Sequence, residues 1–224
     1  MNILIKYPTR GRPAQFLKTL AGWLALAEDH SKIAVLVTYD VDDNTMDGSV
    51  ISEAQQLHPE VLVVRGEHAN KIAACNADLG EYQRPWDVVL LVSDDMFCKT
   101  PGWDSIVRKL MSLYWPDTDG ALWFFDGKQT RFNSIECVGR VRYEKFGYLY
   151  HPSYHGFYCD FESTEVGVRD GKLVYIEDGI CSHENPSWKG SMVFDNTYSR
   201  SVPWIHIDKE NYEKRRLAGF PRES

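Results

Sequence analysis

Residues 86–97 read WDVVLLVSDDMF, an apolar run that ends in two adjacent carboxylates. Val88–Val92 lacks the polar–apolar alternation of a half-exposed strand, so it reads as a strand covered on both faces. Desolvating an unpaired carboxylate costs several kcal/mol. Asp94 and Asp95 must therefore turn into water at the strand end or meet a positive group there. A covered strand with a polar carboxyl end belongs in a parallel sheet, and such sheets bind ligands beyond the carboxyl ends of their strands.

The flanking sequence repeats the same unit. Asn2–Tyr7 reads as a first strand, and residues 13–28 as a helix opened by Pro13 with Phe16, Leu20, Trp23 and Leu24 on one face. Ile33–Tyr39 is a second strand, 49–57 a short helix, Val61–Val64 a third strand, and 69–80 a helix stopped by Gly80. Val88–Val92 is then the fourth strand, and Trp103–Leu113 a helix. This alternation predicts an α/β fold with a parallel sheet covered on both sides. Beyond residue 115 the pattern becomes aromatic and turn-rich, with strand candidates at Ala121–Phe125, Arg140–Tyr143 and Leu173–Ile176. We read one domain over 1–204, with a regular half over 1–100 and an irregular half over 101–204. Residues 205–224 form a helix or a mobile tail.

Composition bounds the function classes. With 224 residues, 43% hydrophobic and 25% charged, the chain can bury a sizeable core. A net charge of −7 argues against generic polyanion binding. No apolar run approaches the length of about 18 residues that a membrane span requires, and the N-terminus lacks a signal-like segment, so a cytoplasmic location is expected. The five cysteines contain no CxxC pair and are expected to be reduced.

Polar residues recur at the predicted strand ends: Pro8, Thr9, Arg10 and Arg12 after the first, Asp40, Asp42 and Asp43 after the second, Asn70 and Lys71 after the third, and Ser93-Asp94-Asp95 after the fourth. In a parallel sheet these loops share one edge. Acids there suit a hard divalent cation, which takes oxygen ligands and bridges substrate phosphates.

This order of features resembles the GT-A nucleotide-sugar glycosyltransferases, especially their large inverting family, over roughly residues 2–185. The resemblance implies a GT-A three-layer α/β/α sandwich with a mostly parallel sheet, residues 1–100 being its nucleotide-binding half and 101–204 its irregular acceptor-binding half. IKYPTRGRPAQFLKTL is similar to that family's first strand and nucleotide-contacting loop, Asp40 and Asp42 to its acidic second strand end, and Asn70–Asn76 to its nucleotide-contacting helix start. Ser93-Asp94-Asp95 corresponds to its DXD motif, with Ser93 standing where the first acid would be. PGWDSIVRKL resembles the segment that follows.

The resemblance further implies donor contacts from Pro8, Thr9, Arg10, Arg12, Asp40, Asp42, Asn70, Lys71, Asn76, Ser93 and Asp94, with Lys189 and Arg200 closing over the diphosphate. It makes Asp95 and His183 ligands of Mn²⁺ or Mg²⁺. Asp160, or else Glu162, becomes the base that deprotonates the acceptor hydroxyl. The aromatic cluster Tyr148, Tyr150, His155 and Tyr158 supplies an acceptor platform. The expected activity is metal-dependent inverting transfer from a nucleoside-diphosphate sugar, UDP-linked for preference, to an acceptor hydroxyl. The acceptor is a saccharide, a small molecule or a hydroxymethylated DNA base; for the last, Arg140, Arg142, Lys145 and Lys214-Arg215-Arg216 would contact phosphates. Two other classes compete: a sugar nucleotidyltransferase, for which YPTRGRP supplies only one of the expected glycines, and a non-catalytic nucleotide- or glycan-binding module.

Overall fold

The structure is a computed structural model and describes residues 1–185 and 195–222. The chain forms β1 (Ile3–Thr9), α1 (Pro13–Ala25), β2 (Ile33–Asp40), α2 (Gly48–Leu57), β3 (Val61–Gly66), α3 (Lys71–Asn76), β4 (Val88–Leu91) and β5 (Met96–Cys98). It continues with α4 (Trp103–Tyr114), β6 (Ala121–Phe124), β7 (Cys137–Gly139), α5 (Arg140–Phe146), α6 (Cys159–Arg169), β8 (Leu173–Ile176), β9 (Cys181–His183), α7 (Asn196–Ser199) and α8 (Ile205–Leu217).

Among the described residues, seven strands make one sheet in the order β3-β2-β1-β4-β7-β6-β8, and β5 pairs with β9 in a separate ribbon. β1 runs parallel to β2 and β4, and β2 to β3, so the ends of the first four strands share an edge as the sequence predicts. β7 is antiparallel to both β4 and β6. Helices cover both faces. Trp23 and Trp103 are fully buried and meet edge to face at 5.0 Å on one side. Ile72, Trp86, Tyr143 and Tyr154 pack on the other. Each fully buried large apolar side chain contributes about 1.5–3 kcal/mol, and the strands β1 and β4 are covered along almost their whole length.

Two expectations are corrected. Arg140–Tyr143 is the start of α5, not a strand. A Cβ on Gly139 would lie 2.2 Å from the Thr118 carbonyl oxygen, and the ladder of β7 ends at that close approach. Arg140 then pairs with Glu144 one helical turn on at 2.7 Å. The helix expected over 69–80 covers only Lys71–Asn76, because Ala77 leaves helical geometry and Asp78 adopts φ +65°. Of the two forms expected for the C-terminal segment, residues 205–217 take the helix, and it is docked: Asp208 is completely buried, and Tyr212 and Arg215 are buried too. Among the described residues no helix is long and apolar enough to cross a membrane.

Candidate active site

The shared strand edge carries a continuous charge network. Arg10 donates to Asp40 and, through both terminal nitrogens at 2.6 and 2.7 Å, to Asp42. His68 Nδ1 lies 2.8 Å from the other Asp40 oxygen. Gly11, at φ +69°, turns the loop so that its amide donates to Asp43 at 2.8 Å. Pro8 lies within β1, in register with Thr38. Thr9 is buried, and its hydroxyl has no hydrogen-bond partner among the described residues.

Arg12 joins this loop to the acidic strand end. Its guanidinium donates to Asp94 at 2.8 Å and, in a fork, to both oxygens of Asp195 at 2.5 and 2.7 Å. Burial, with the charge of Asp95 beside it, raises Asp94 to about 6 against the pull of Arg12. Asp95 moves the other way. Its burial works to raise it, but His183, Lys71 and the Ser93 hydroxyl hold it below the ordinary carboxylate range.

The ribbon explains how His183 reaches Asp95. β5 begins immediately after Asp95, and its first residue, Met96, lies opposite His183. The Glu184 amide donates to the Asp95 carbonyl at 2.7 Å, and the His183 amide to the Asp126 carbonyl at 2.9 Å. His183 Nε2 then lies 3.4 Å from Asp95 Oδ2, both residues being buried. Two cis ligands each about 2.1 Å from one Mg²⁺-sized ion stand roughly 3 Å apart, so the pair is spaced for a shared cation, and Mn²⁺ accepts this mixed nitrogen and oxygen set. Among the described residues no group of three or more His, Cys, Asp or Glu converges. A cation here would draw its remaining ligands from phosphate oxygens and water.

Lys71 opens α3 above these acids with a solvent-open flank. Surrounding protein pulls its pKa down, but Cys75, Asp95 and Asp160 outweigh that and raise it. Asn70 caps α3, accepting from the Ala73 amide at 2.9 Å. Asn76 has a structural task instead: its oxygen accepts from the Leu149 and Tyr150 amides, and its nitrogen donates to the Tyr150 carbonyl at 2.7 Å. Arg200 is exposed and close enough to Asp42 to help lower that carboxyl. Lys189 lies outside the described residues.

Asp160 sits in the first turn of α6, after Tyr158 enters the helix at φ +60°. Burial raises it to about 6, opposed by the Phe161 amide and by the fields of Lys71 and His183. Asp160 therefore lies within the electrostatic reach of Lys71 and His183. Glu162 faces elsewhere. It is buried, accepts a fork from Arg215 at 2.7 and 2.8 Å, and takes the Tyr154 hydroxyl at 2.8 Å.

The four aromatic platform residues are not gathered into one surface. Tyr150 is buried in the core, and Tyr158 packs on Phe161 and Tyr212. Tyr148 stacks edge-on with His151 and lines a cavity of about 50 Å³ with Glu136, Arg142 and Glu162, which none of the donor-side loops lines. His155 is held by the fully buried Asp208 at 2.9 Å and lies flat on Trp204 at 4.0 Å. The basic residues considered for nucleic acid are largely neutralised: Arg140 by Glu144, Arg142 by Asp170, Lys145 by Asp119, Arg215 by Glu162 and Arg216 by Glu165.

Sequence reasoning missed several participants. Asp195 caps α7, which the pattern Asp-Asn-Thr-Tyr before a short helix signals. Lys6 is fully buried in β1, donates to Thr38, and is lowered to about 8 by burial, with Asp78 at 4.0 Å opposing. Glu136 is raised to about 7 by burial. Lys6 and Glu136 are each a single charge inside an apolar run, a legible flag for a buried polar contact.

No family model matches the chain, and no curated protein matches it. Solved structures do. A mannosyltransferase of Pyrobaculum calidifontis, PcManGT, in complex with GDP-Man and Mn²⁺, superposes with a TM-score of 0.67 at 14% identity over 85% of this chain and 58% of its own. S. aureus TarS 1–349 with UDP-GlcNAc gives 0.63 at 12% identity over 98% and 71%, and the same protein with UDP gives 0.63 at 10% over 81% and 59%. The chain thus spans less than three fifths of the length of PcManGT. Strand order, loop placement and these superpositions agree on one conclusion, that the chain has the fold of the GT-A nucleotide-sugar glycosyltransferases.

Proposed function

We propose that the protein is a glycosyltransferase that moves a sugar, with inversion, from a nucleoside-diphosphate donor to an acceptor hydroxyl. The observation that carries this reading is the Asp95–His183 pair at the sheet edge, within electrostatic reach of Lys71 and Asp160 from two further segments. In this reading Arg10, Asp40 and Asp42, with Pro8 and Thr9, receive the base and ribose. Arg12 and Lys71 face the diphosphate, Arg12 also keeping Asp94 ionised. Ser93 orients Asp95. Arg200 closes the nucleotide side. A divalent cation bound by Asp95 and His183 would offset negative charge on the departing diphosphate.

Asp160 is the base in this scheme. Its carboxylate takes the proton of the acceptor hydroxyl as that oxygen bonds to the anomeric carbon, and the bond from that carbon to the diphosphate oxygen breaks. A carboxyl near 6 is ionised at neutral pH yet basic enough to accept a proton in the transition state. Glu162, locked by Arg215, has no free oxygen geometry for that task. The internal pairing of the basic residues favours a saccharide or small-molecule acceptor over a DNA base. Incubating the protein with GDP- and UDP-sugars and Mn²⁺ tests the reading. Release of the nucleoside diphosphate supports it, pyrophosphate release would indicate nucleotidyl transfer, and neither product would indicate a binding module.

A further inference from the structure

The ribbon that joins the two halves of the site carries two cysteines. Cys98 is the last residue of β5 and Cys181 the first of β9, and they are directly opposite each other in the antiparallel register. The Lys99 amide donates to the Ile180 carbonyl at 3.0 Å, which makes Lys99 and Ile180 a hydrogen-bonded pair. The neighbouring pair, Cys98 and Cys181, is then a non-hydrogen-bonded one, because the two kinds alternate along an antiparallel ladder. In such pairs the Cα atoms are about 4.5 Å apart and the side chains leave on the same face. That separation falls within the range of about 4.4–6.8 Å that a disulfide spans. Both thiols are free, and each lies within the electrostatic reach of the other. Cys98 is partly exposed, whereas Cys181 is buried.

We propose that Cys98 and Cys181 are a redox-modifiable dithiol, oxidised by a small-molecule disulfide to a cross-strand disulfide on the ribbon that holds Asp95 beside His183. The accessible Cys98 sulfur attacks the external disulfide, forming a mixed disulfide and releasing one small thiol. Cys181 then attacks the Cys98 sulfur, closing the protein disulfide and releasing the second small thiol. Two protein thiols are oxidised, one external disulfide is reduced, and the two thiol protons leave with the small thiols. Burial pushes the Cys98 thiol up to about 11, so the exchange is slow at neutral pH and quicker in mild alkali.

The test uses the folded full chain with oxidised glutathione at mildly alkaline pH, followed by alkylation of remaining thiols, peptide mapping and a thermal melt. The expected result is loss of two of the five alkylatable thiols, a linked peptide joining Cys98 to Cys181, a higher melting temperature, and reversal of all three by dithiothreitol. Cys98→Ser and Cys181→Ser, each confirmed folded by circular dichroism, should both abolish the linked peptide. Five thiols retained in the folded protein, or a link through Cys75, Cys137 or Cys159, would overturn the proposal. Because this readout is independent of sugar transfer, it stands or falls separately from the proposed activity.

Discussion

Two acids on the same turn of α6, Asp160 and Glu162, have opposite surroundings. Glu162 belongs to the region where α6 meets α8, and the buried charges there are matched: Arg215 and Tyr154 saturate it, and Asp208 takes the His155, Gly156 and Phe157 amides. Asp160 belongs to the sheet edge, where acids outnumber the cations pinned to them and where carboxyl pKa values are displaced in both directions. The difference separates charges that hold the second half of the fold together from charges available to a ligand. Sequence proximity does not distinguish the two kinds.

The largest expected effect that would break this comparison is on catalysis. Asp160→Asn should lower kcat by about 10²–10⁴-fold, the usual worth of a general base, with donor affinity unchanged in calorimetry. Near-normal turnover would move the base elsewhere. Glu162→Gln should do the reverse. Disrupting a buried ion pair costs about 3 kcal/mol or more, so its denaturation midpoint should fall sharply while kcat per folded molecule stays within a few-fold.

The pH dependence sharpens the contrast. Asp160 titrates near 6 when folded and near its ordinary value of 3.8 when unfolded. Between those values the folded state binds more protons, so this group lowers stability as pH rises through the window. Turnover should therefore climb as pH passes about 6, and Asp160→Asn should melt higher than the parent protein at pH 7 though lower in activity. A variant that melted lower at pH 7 would mark Asp160 as a structural acid like Glu162. The smallest effect concerns Asp195, which acts through Arg12. Asp195→Asn should raise the donor KM a few-fold with kcat nearly unchanged, and a kcat loss without a KM change would contradict that positioning role.

How much of this was legible in sequence follows the same division. Strands β1, β2 and β4 are apolar and covered on both faces, and β3 is an apolar edge strand, so their pattern and their polar ends could be read directly. The ribbon strands β5 and β9 and the strand β7 have three residues each, too few for a period to declare itself. Arg140–Tyr143 alternates like a strand, yet its conformation is decided by the tertiary approach of Thr118 to Gly139. The acids of the site could be named from position, whereas the separate duties of Asp160 and Glu162 depend on Arg215, more than fifty residues away. The aromatic cluster misled for a related reason: Tyr150 and Tyr158 are spent on the core.

The most direct test of the account is calorimetric titration of GDP- and UDP-sugars into the parent protein and Asp95→Ala, with and without Mn²⁺. The account predicts donor binding that needs Mn²⁺ in the parent protein and is lost in Asp95→Ala. Equal donor affinity in both proteins, with or without the metal, would contradict it.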